Sequence, residues 1–177
     1  VAPMSTSSTD KLITMMVDMK ATCIACTPSY LLHVYDVLSE RDLLDKIHLK
    51  SAILGAEPWT DEMRKFIEEA MNIHAYDIYG LSEVMGPGVS ADCSEHQGLH
   101  VAEDHFLPEI IDPHTLETAA PGQVGELCFT TLTKEALPLL RYRTKDLSSL
   151  DYGACKCGRT TVRMQPVMGR TDDMLII

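Results

Sequence analysis

The sequence has no apolar run approaching the ~20 residues a membrane-spanning helix requires, and Val1-Ala2-Pro3 does not open a signal peptide. It also lacks the clustered Lys and Arg that a nucleic-acid or anionic-membrane partner demands. Its 15 basic residues stand against 26 acidic ones, a net charge of -11. These absences point to a soluble, cytoplasmic protein with neither nucleic acid nor membrane as partner. An initiator methionine is missing too, and Met174-Leu175-Ile176-Ile177 reads as an apolar strand with no polar tail. The expectation is an internal fragment of a longer protein. Ser5-Thr6-Ser7-Ser8-Thr9 looks like a phosphate-binding loop but holds no glycine to bring backbone amides close to an anion, so it reads as a polar linker or helix cap. No internal repeat is present.

What is present suffices for a packed core: 177 residues, 45% of them hydrophobic. Leu12, Met15, Met16 and Met19 fall at helical spacing, a stripe read as core, and residues 21–26 read as a buried strand. Thr27-Pro28 makes a cap with proline in the first turn of a helix whose apolar face is Leu31, Val34, Tyr35 and Leu38. His33 and His48 read as surface or packing histidines. Residues 51–55 form a second strand, Thr60 caps a helix carrying Met63, Phe66, Ile67 and Ala70, and residues 73–79 form a third strand. Strands alternating with helices predict an α/β fold with a doubly wound parallel sheet, whose ligand mouth gathers Gly55-Ala56-Glu57 beside Tyr79-Gly80.

The third strand is expected to stop at Gly80, which can take backbone angles a side chain would forbid. Beyond it stand Ser82, Glu83 and a flexible Met85-Gly86-Pro87-Gly88. A carboxylate at a strand mouth suits a hard cation such as Mg²⁺, and Tyr79 can stack on a flat base. After residue 95 the pattern changes to short strands at 99–102, 106–111, 124–132 and 139–142, with a turn at Asp112-Pro113-His114. A subdomain boundary is placed near residues 90–98.

The six cysteines come without an export signal, which favours free thiols or a metal over disulfides. Cys155-Lys156-Cys157-Gly158 sets two thiolates close together, half of a structural zinc site. Cys93 with His100 fits best as the other half, with His96 the near alternative, all in loops of the β-rich part. Cys23-Ile24-Ala25-Cys26 has redox spacing, but alternate side chains of a strand face opposite ways, so these cysteines read as structural. Cys128 reads as core.

Tyr79-Gly80-Leu81-Ser82-Glu83, Gly125-Glu126-Leu127, Tyr142-Arg143-Thr144-Lys145-Asp146 and Gly169-Arg170-Thr171-Asp172-Asp173, in this order, resemble the later core motifs of the adenylate-forming enzymes. Gly55-Ala56-Glu57-Pro58-Trp59, the stretch 103–113 and the stretch 130–144 are similar to the phenylacetate-CoA ligase branch, so the likeness covers nearly the whole chain. It implies an ATP-dependent ligase that joins an aryl acid, phenylacetate, to CoA through an acyl-adenylate, releasing pyrophosphate and then AMP. In that scheme Glu83 holds Mg²⁺ and Asp146 accepts hydrogen bonds from the ribose hydroxyls. Tyr79, Asp77, Ile78 and the backbone of Gly55, Ala56 and Glu57 hold the adenine. Gly80 and Ser82 complete the nucleotide motif, Arg170 reaches ribose or phosphate, and Asp172 is the hinge.

The same likeness implies an α/β part over 1–95, a distorted barrel-like β-rich part over 96–170 and a hinge over 171–177. It places the phosphate loop upstream and the lysine-bearing C-terminal domain downstream, so this chain alone is expected not to turn over. Residues 84–89 are a candidate wall for the aryl pocket. Within the family a cysteine before Gly-Leu-His and a Cys-x-Cys-Gly before Arg-Thr favour Cys93, His100, Cys155 and Cys157 as Zn²⁺ ligands. The family also implies a homodimer, although no surface stripe argues for one. The competing reading is a non-catalytic, zinc-stapled nucleotide-binding module.

Overall fold

The computed structural model describes residues 8–172. Residues 5–7 of the Ser/Thr stretch, Asp173 and the apolar segment 174–177 lie outside the described residues. The chain forms two compact units, Val1–Tyr76 and Asp77–Ile177.

In the first unit, helix α1 (Thr9–Asp18) leads into strand β1 (Cys23–Cys26). Ile13 and Met16 are buried, whereas Met19 is 66% exposed because it caps the helix where the apolar stripe has already turned outward. The expected buried strand over 21–26 is shorter and half open: Ile24 faces the core and Cys23 faces outward. Cys26 sits in a different environment, where burial pushes its thiol up to about 12.

Helix α2 (Pro28–Glu40) begins where the sequence places it. The Thr27 side chain accepts from the Tyr30 amide, proline takes the first turn, and Leu31, Val34 and Leu38 are wholly buried. Each such side chain removed from water contributes about 1.5–3 kcal/mol. Strand β2 (Ser51–Gly55) pairs parallel with β1, from Cys23 opposite Ser51 to Cys26 opposite Leu54, the pairing a helical crossover requires. Helix α3 (Asp61–Met71) is capped by Thr60, whose side chain accepts from the Met63 amide, and is closed by Asn72 at φ 51°. It buries Ile67 and Met71 but leaves Phe66 half exposed.

Strand β3 (His74–Leu81) carries the chain into the second unit and runs on through Gly80. There it pairs antiparallel with β4 (Gly86–Ala91), with a bulge between Tyr79 and Gly80. Gly80 is absent from the glycines with positive φ, so backbone freedom is not its purpose. A Cβ there would overlap the Gly86 carbonyl oxygen and stand 2.8 Å from the Pro87 Cα; only glycine lets the two arms approach so closely.

Strand β4 pairs with β5 (Leu99–Val101), β5 with β10 (Arg163–Met164) and β10 with β9 (Leu150–Asp151), all antiparallel. This ladder draws residues 77–95 into the β-rich unit, whereas periodicity places them with the α/β part. A second sheet, in the order β6 (Phe106–Ile111), β7 (Gly125–Thr131), β8 (Tyr142–Ser148), is also antiparallel. Side chains of both sheets, among them Val89, Val101, Leu127, Phe129 and Met164, share one core. The expected strand over 139–142 differs. Leu137 and Arg141 hold left-handed angles, φ 54° and 46°, so the ladder starts only at Tyr142 and carries Asp146 within a strand instead of a turn.

Candidate functional site

Glu126 is fully buried, and Arg143 across the sheet grips its carboxylate with two hydrogen bonds of 2.8 and 2.7 Å. Arg143 thereby holds the Glu126 carboxyl below the usual range. The pair forms because β8 bulges against β7. The register shifts between Glu126 and Cys128, with Lys145 at φ 71°. Gly125 precedes the glutamate for want of space, since a Cβ there would stand 2.7 Å from the Ile110 side chain.

Past the bulge, the Asp146 carboxylate is divided between two partners. Tyr79 donates its hydroxyl to Oδ2 at 2.6 Å, and Arg170 donates to Oδ1 at 3.2 Å. The Tyr79 ring stacks on Phe129, centroids 6.2 Å apart and 28° from parallel. Burial first, and the Asp146 hydrogen bond second, raise the Tyr79 phenol well above its ordinary value. Residues 168–171 run along β8: Leu147 donates to the Gly169 carbonyl at 2.8 Å and Thr171 to the Lys145 carbonyl at 2.7 Å. Arg170 thus reaches Asp172 as well, through bonds of 2.9 and 3.0 Å that draw the Asp172 carboxyl down. The structure brings Tyr79, Asp146, Arg170 and Asp172 into one hydrogen-bonded chain.

Glu83 stands exposed on the turn after β3, with Ser82 exposed beside it. Asp77 and Ile78 are half-buried on β3, and the Asp77 carbonyl accepts from the Asp92 amide at 2.8 Å. Val84 and Val89 are buried and Met85 is exposed.

Gly55, Ala56 and Glu57 belong to the first unit. Gly55 ends β2 and Ala56 turns the chain with φ 69°. The Glu57 carboxylate then takes the Ser29 amide at 2.6 Å and the Ser29 hydroxyl at 3.0 Å, at the N-terminus of α2. A carboxylate there satisfies a free helix amide and lies at the positive end of the helix dipole. Glu57→Ala is expected to lower unfolding free energy by about 1 kcal/mol, read from the urea midpoint, with Glu57→Gln losing less.

A separate cluster unites the thiols. Cys93, His100, Cys155 and Cys157 each offer a ligand atom, all within 4.8 Å of one another. Three of the four come from loops, but His100 lies in the middle of β5, where strand pairing fixes its direction. Tetrahedral zinc with Zn–S near 2.3 Å and Zn–N near 2.05 Å sets sulfurs about 3.8 Å apart and sulfur from nitrogen about 3.6 Å. The Cys93 and Cys155 sulfurs stand 3.8 Å apart, and Cys157 Sγ lies 3.5 Å from His100 Nε2. The donor set therefore fits zinc. Thr161 meets the other ring nitrogen of His100 at 2.9 Å, leaving Nε2 for the metal. His96 is engaged elsewhere, its Nδ1 2.6 Å from buried Asp92, which also accepts the Cys93 amide at 2.8 Å. Cys128 is buried in β7, where burial pushes its thiol up to about 11.

Sequence reasoning missed the Glu126–Arg143 pair, the Glu57–Ser29 clamp and Lys134, whose ammonium donates to the Glu83 carbonyl at 2.7 Å. The first had a signal only in Glu126, a charged residue on the strand expected over 124–132. The other two are long-range contacts, one from a loop to the start of α2 and one between loops, and carry no periodicity.

The family model of the AMP-binding enzyme matches residues 1–133. Over its whole length the chain is similar to the phenylacetate-coenzyme A ligases of Thermus thermophilus, 51% identical over 179 residues, and Aromatoleum evansii, 52% identical over 180. It spans 40% of the length of these relatives. Among solved structures it is similar to 2-hydroxyisobutyryl-CoA ligase in complex with 2-HIB-AMP and CoA in the thioesterification state. The TM-score is 0.89 at 27% identity, over 99% of this chain and 39% of that one. The open conformation of the same ligase matches with a TM-score of 0.87, over 98% of this chain and 41% of that one.

Proposed function

The chain belongs to the AMP-binding enzyme family, and from that premise we propose that it is the nucleotide-binding segment of an aryl-acid CoA ligase acting on phenylacetate. The carboxylate attacks the α-phosphorus of ATP, a phosphoryl–oxygen bond to pyrophosphate breaks, and CoA thiolate then displaces AMP from the acyl-adenylate. Asp146 carries this reading. Tyr79 and Arg170 occupy two of the roughly four lone-pair positions of its carboxylate, which leaves room for a vicinal ribose diol. Arg170, held between Asp146 and Asp172, supplies the positive charge that a ribose or phosphate oxygen needs.

Glu83 would receive the Mg²⁺ that accompanies the nucleotide and offsets phosphate charge. Tyr79, Asp77 and Ile78, with the turn at Gly55, Ala56 and Glu57, are assigned to the adenine, and Gly80 and Ser82 to the shape of the nucleotide turn. Asp172 is assigned to a hinge, and residues 84–89 to the aryl pocket. Zinc is assigned to Cys93, His100, Cys155 and Cys157 as a fastening without chemistry. No helix among the described residues is long and apolar enough to cross a membrane. Small-molecule partners, a cytoplasmic location and a homodimer are assigned on the family likeness.

The test is pyrophosphate release by the full-length protein carrying this segment, with ATP and Mg²⁺ and without CoA, across phenylacetate, benzoate and a medium-chain fatty acid. Release with phenylacetate is expected, falling about 100-fold in Glu83→Gln. Failure of every acid to elicit release would sink the ligase reading in favour of a zinc-stapled nucleotide-binding module without catalysis.

A further inference from the structure

An exposed glutamate can serve chemistry only if its place is fixed. The Val84 and Met85 amides return to the Leu81 carbonyl at 3.1 and 3.0 Å, which closes the turn without using the Glu83 carbonyl. Two residues from distant parts of the second unit meet it there. Lys134, in the loop after β7, donates from Nζ to the Glu83 carbonyl oxygen at 2.7 Å. Tyr142, the first residue of β8, has its phenol raised by burial and then by the nearby Glu83 charge.

The main chain of Glu83 is thus gripped by an ammonium from a loop far along the sequence. A charged donor on a neutral carbonyl is stronger than an amide would be. Lys134 is also only partly exposed. Its charge stands beside the turn of a strongly acidic chain, where a polyphosphate approaching Glu83 gains from a fixed cation.

We propose that Lys134 is a positioning residue for adenylation: it locks the Glu83 peptide so that the carboxylate meets the magnesium–nucleotide complex without reorganisation. This rests on the reading of Glu83 given above.

The experiment compares Lys134→Met, Lys134→Gln, Lys134→Arg and Glu83→Gln. Without nucleotide, hydrogen exchange at the Val84 and Met85 amides is expected to quicken about 10-fold in the Met and Gln variants, with the melting temperature unchanged. In the full-length protein, the Mg²⁺ concentration for half-maximal pyrophosphate release is expected to rise about 10-fold in both, and Lys134→Arg to restore it. A Lys134→Met variant whose turn exchange and Mg²⁺ midpoint both match the wild type, while Glu83→Gln is inactive, overturns the proposal and leaves the Glu83 reading standing. Undiminished release by Glu83→Gln removes the Glu83 reading and the proposal with it.

Discussion

Replacing Cys155 with serine, or treating the protein with a strong chelator, is expected to lower the melting temperature by roughly 10 °C and to release one zinc per chain. A site held at about 1,000 times its dissociation constant adds about 4 kcal/mol to the folded state, and each kcal/mol moves the melting temperature by about 2–4 °C in a chain of 177 residues. The loss is large because the ligands sit where the unit has little else. The stretch from 152 to 162 has no strand of its own, and Cys155 is its one buried thiol. His100→Ala should behave like Cys155→Ser, since the ring is held with Nε2 toward Cys157. His96→Ala should keep its zinc, and Cys23→Ser, on the open side of β1, should change neither zinc content nor melting. Metal analysis alongside differential scanning calorimetry decides the matter. A wild-type chain that purifies without zinc and ignores added zinc would refute the assignment.

The second large effect concerns Arg143. Arg143→Met is expected to cost about 3–5 kcal/mol at neutral pH, because it strands the fully buried Glu126 carboxylate with only Thr171 at 3.4 Å and Lys145 at 4.0 Å. Glu126→Gln should cost less, since the Arg143 side chain is 34% exposed and can turn to water. Burial asymmetry, not the bond itself, decides the order. The pH dependence carries an independent signature. In the wild type, hydrogen bonds from Arg143 hold the Glu126 carboxyl below its ordinary value of 4.5, so the pair's contribution is present above that pH and fades as pH falls through the lowered value. Without Arg143, burial raises the same carboxyl instead, and stability is lost as pH rises. The penalty of Arg143→Met should therefore shrink between pH 7 and pH 4.5, measured by urea unfolding at both.

Local chemistry was legible wherever a residue acts on its immediate neighbours. Thr27 and Thr60 as caps, Pro28 in a first turn and the bounds of β2 all depend on contacts within a few residues. Spacing made the Cys155–Cys157 pair legible, and the family likeness favoured Cys93 and His100 over His96 as its companions, the four that cluster in the structure. What escaped depends on neighbours far along the chain. Gly80 was read as a hinge of backbone angles, yet its reason is the carbonyl of Gly86 pressed against it. The start of β8 was placed three residues early, because apolar Leu139 and Leu140 read as strand while left-handed angles at Leu137 and Arg141 hold that stretch out of the ladder. Glu57 looked like part of a nucleotide loop by its backbone alone, and its side chain turned out to serve the helix that starts at Pro28.

The order of the thiol ligands along the chain has a consequence for cleavage. The chain leaves the cluster after His100, builds the whole of the β6–β7–β8 sheet, and comes back to the cluster at Cys155. That sheet is an insert whose two ends are fastened at one point. Its most open stretch, with Leu137 68% and Leu140 83% exposed, is where a protease would cut. With zinc bound there as proposed, a nick is expected to yield two fragments that stay within one particle until a chelator opens the base.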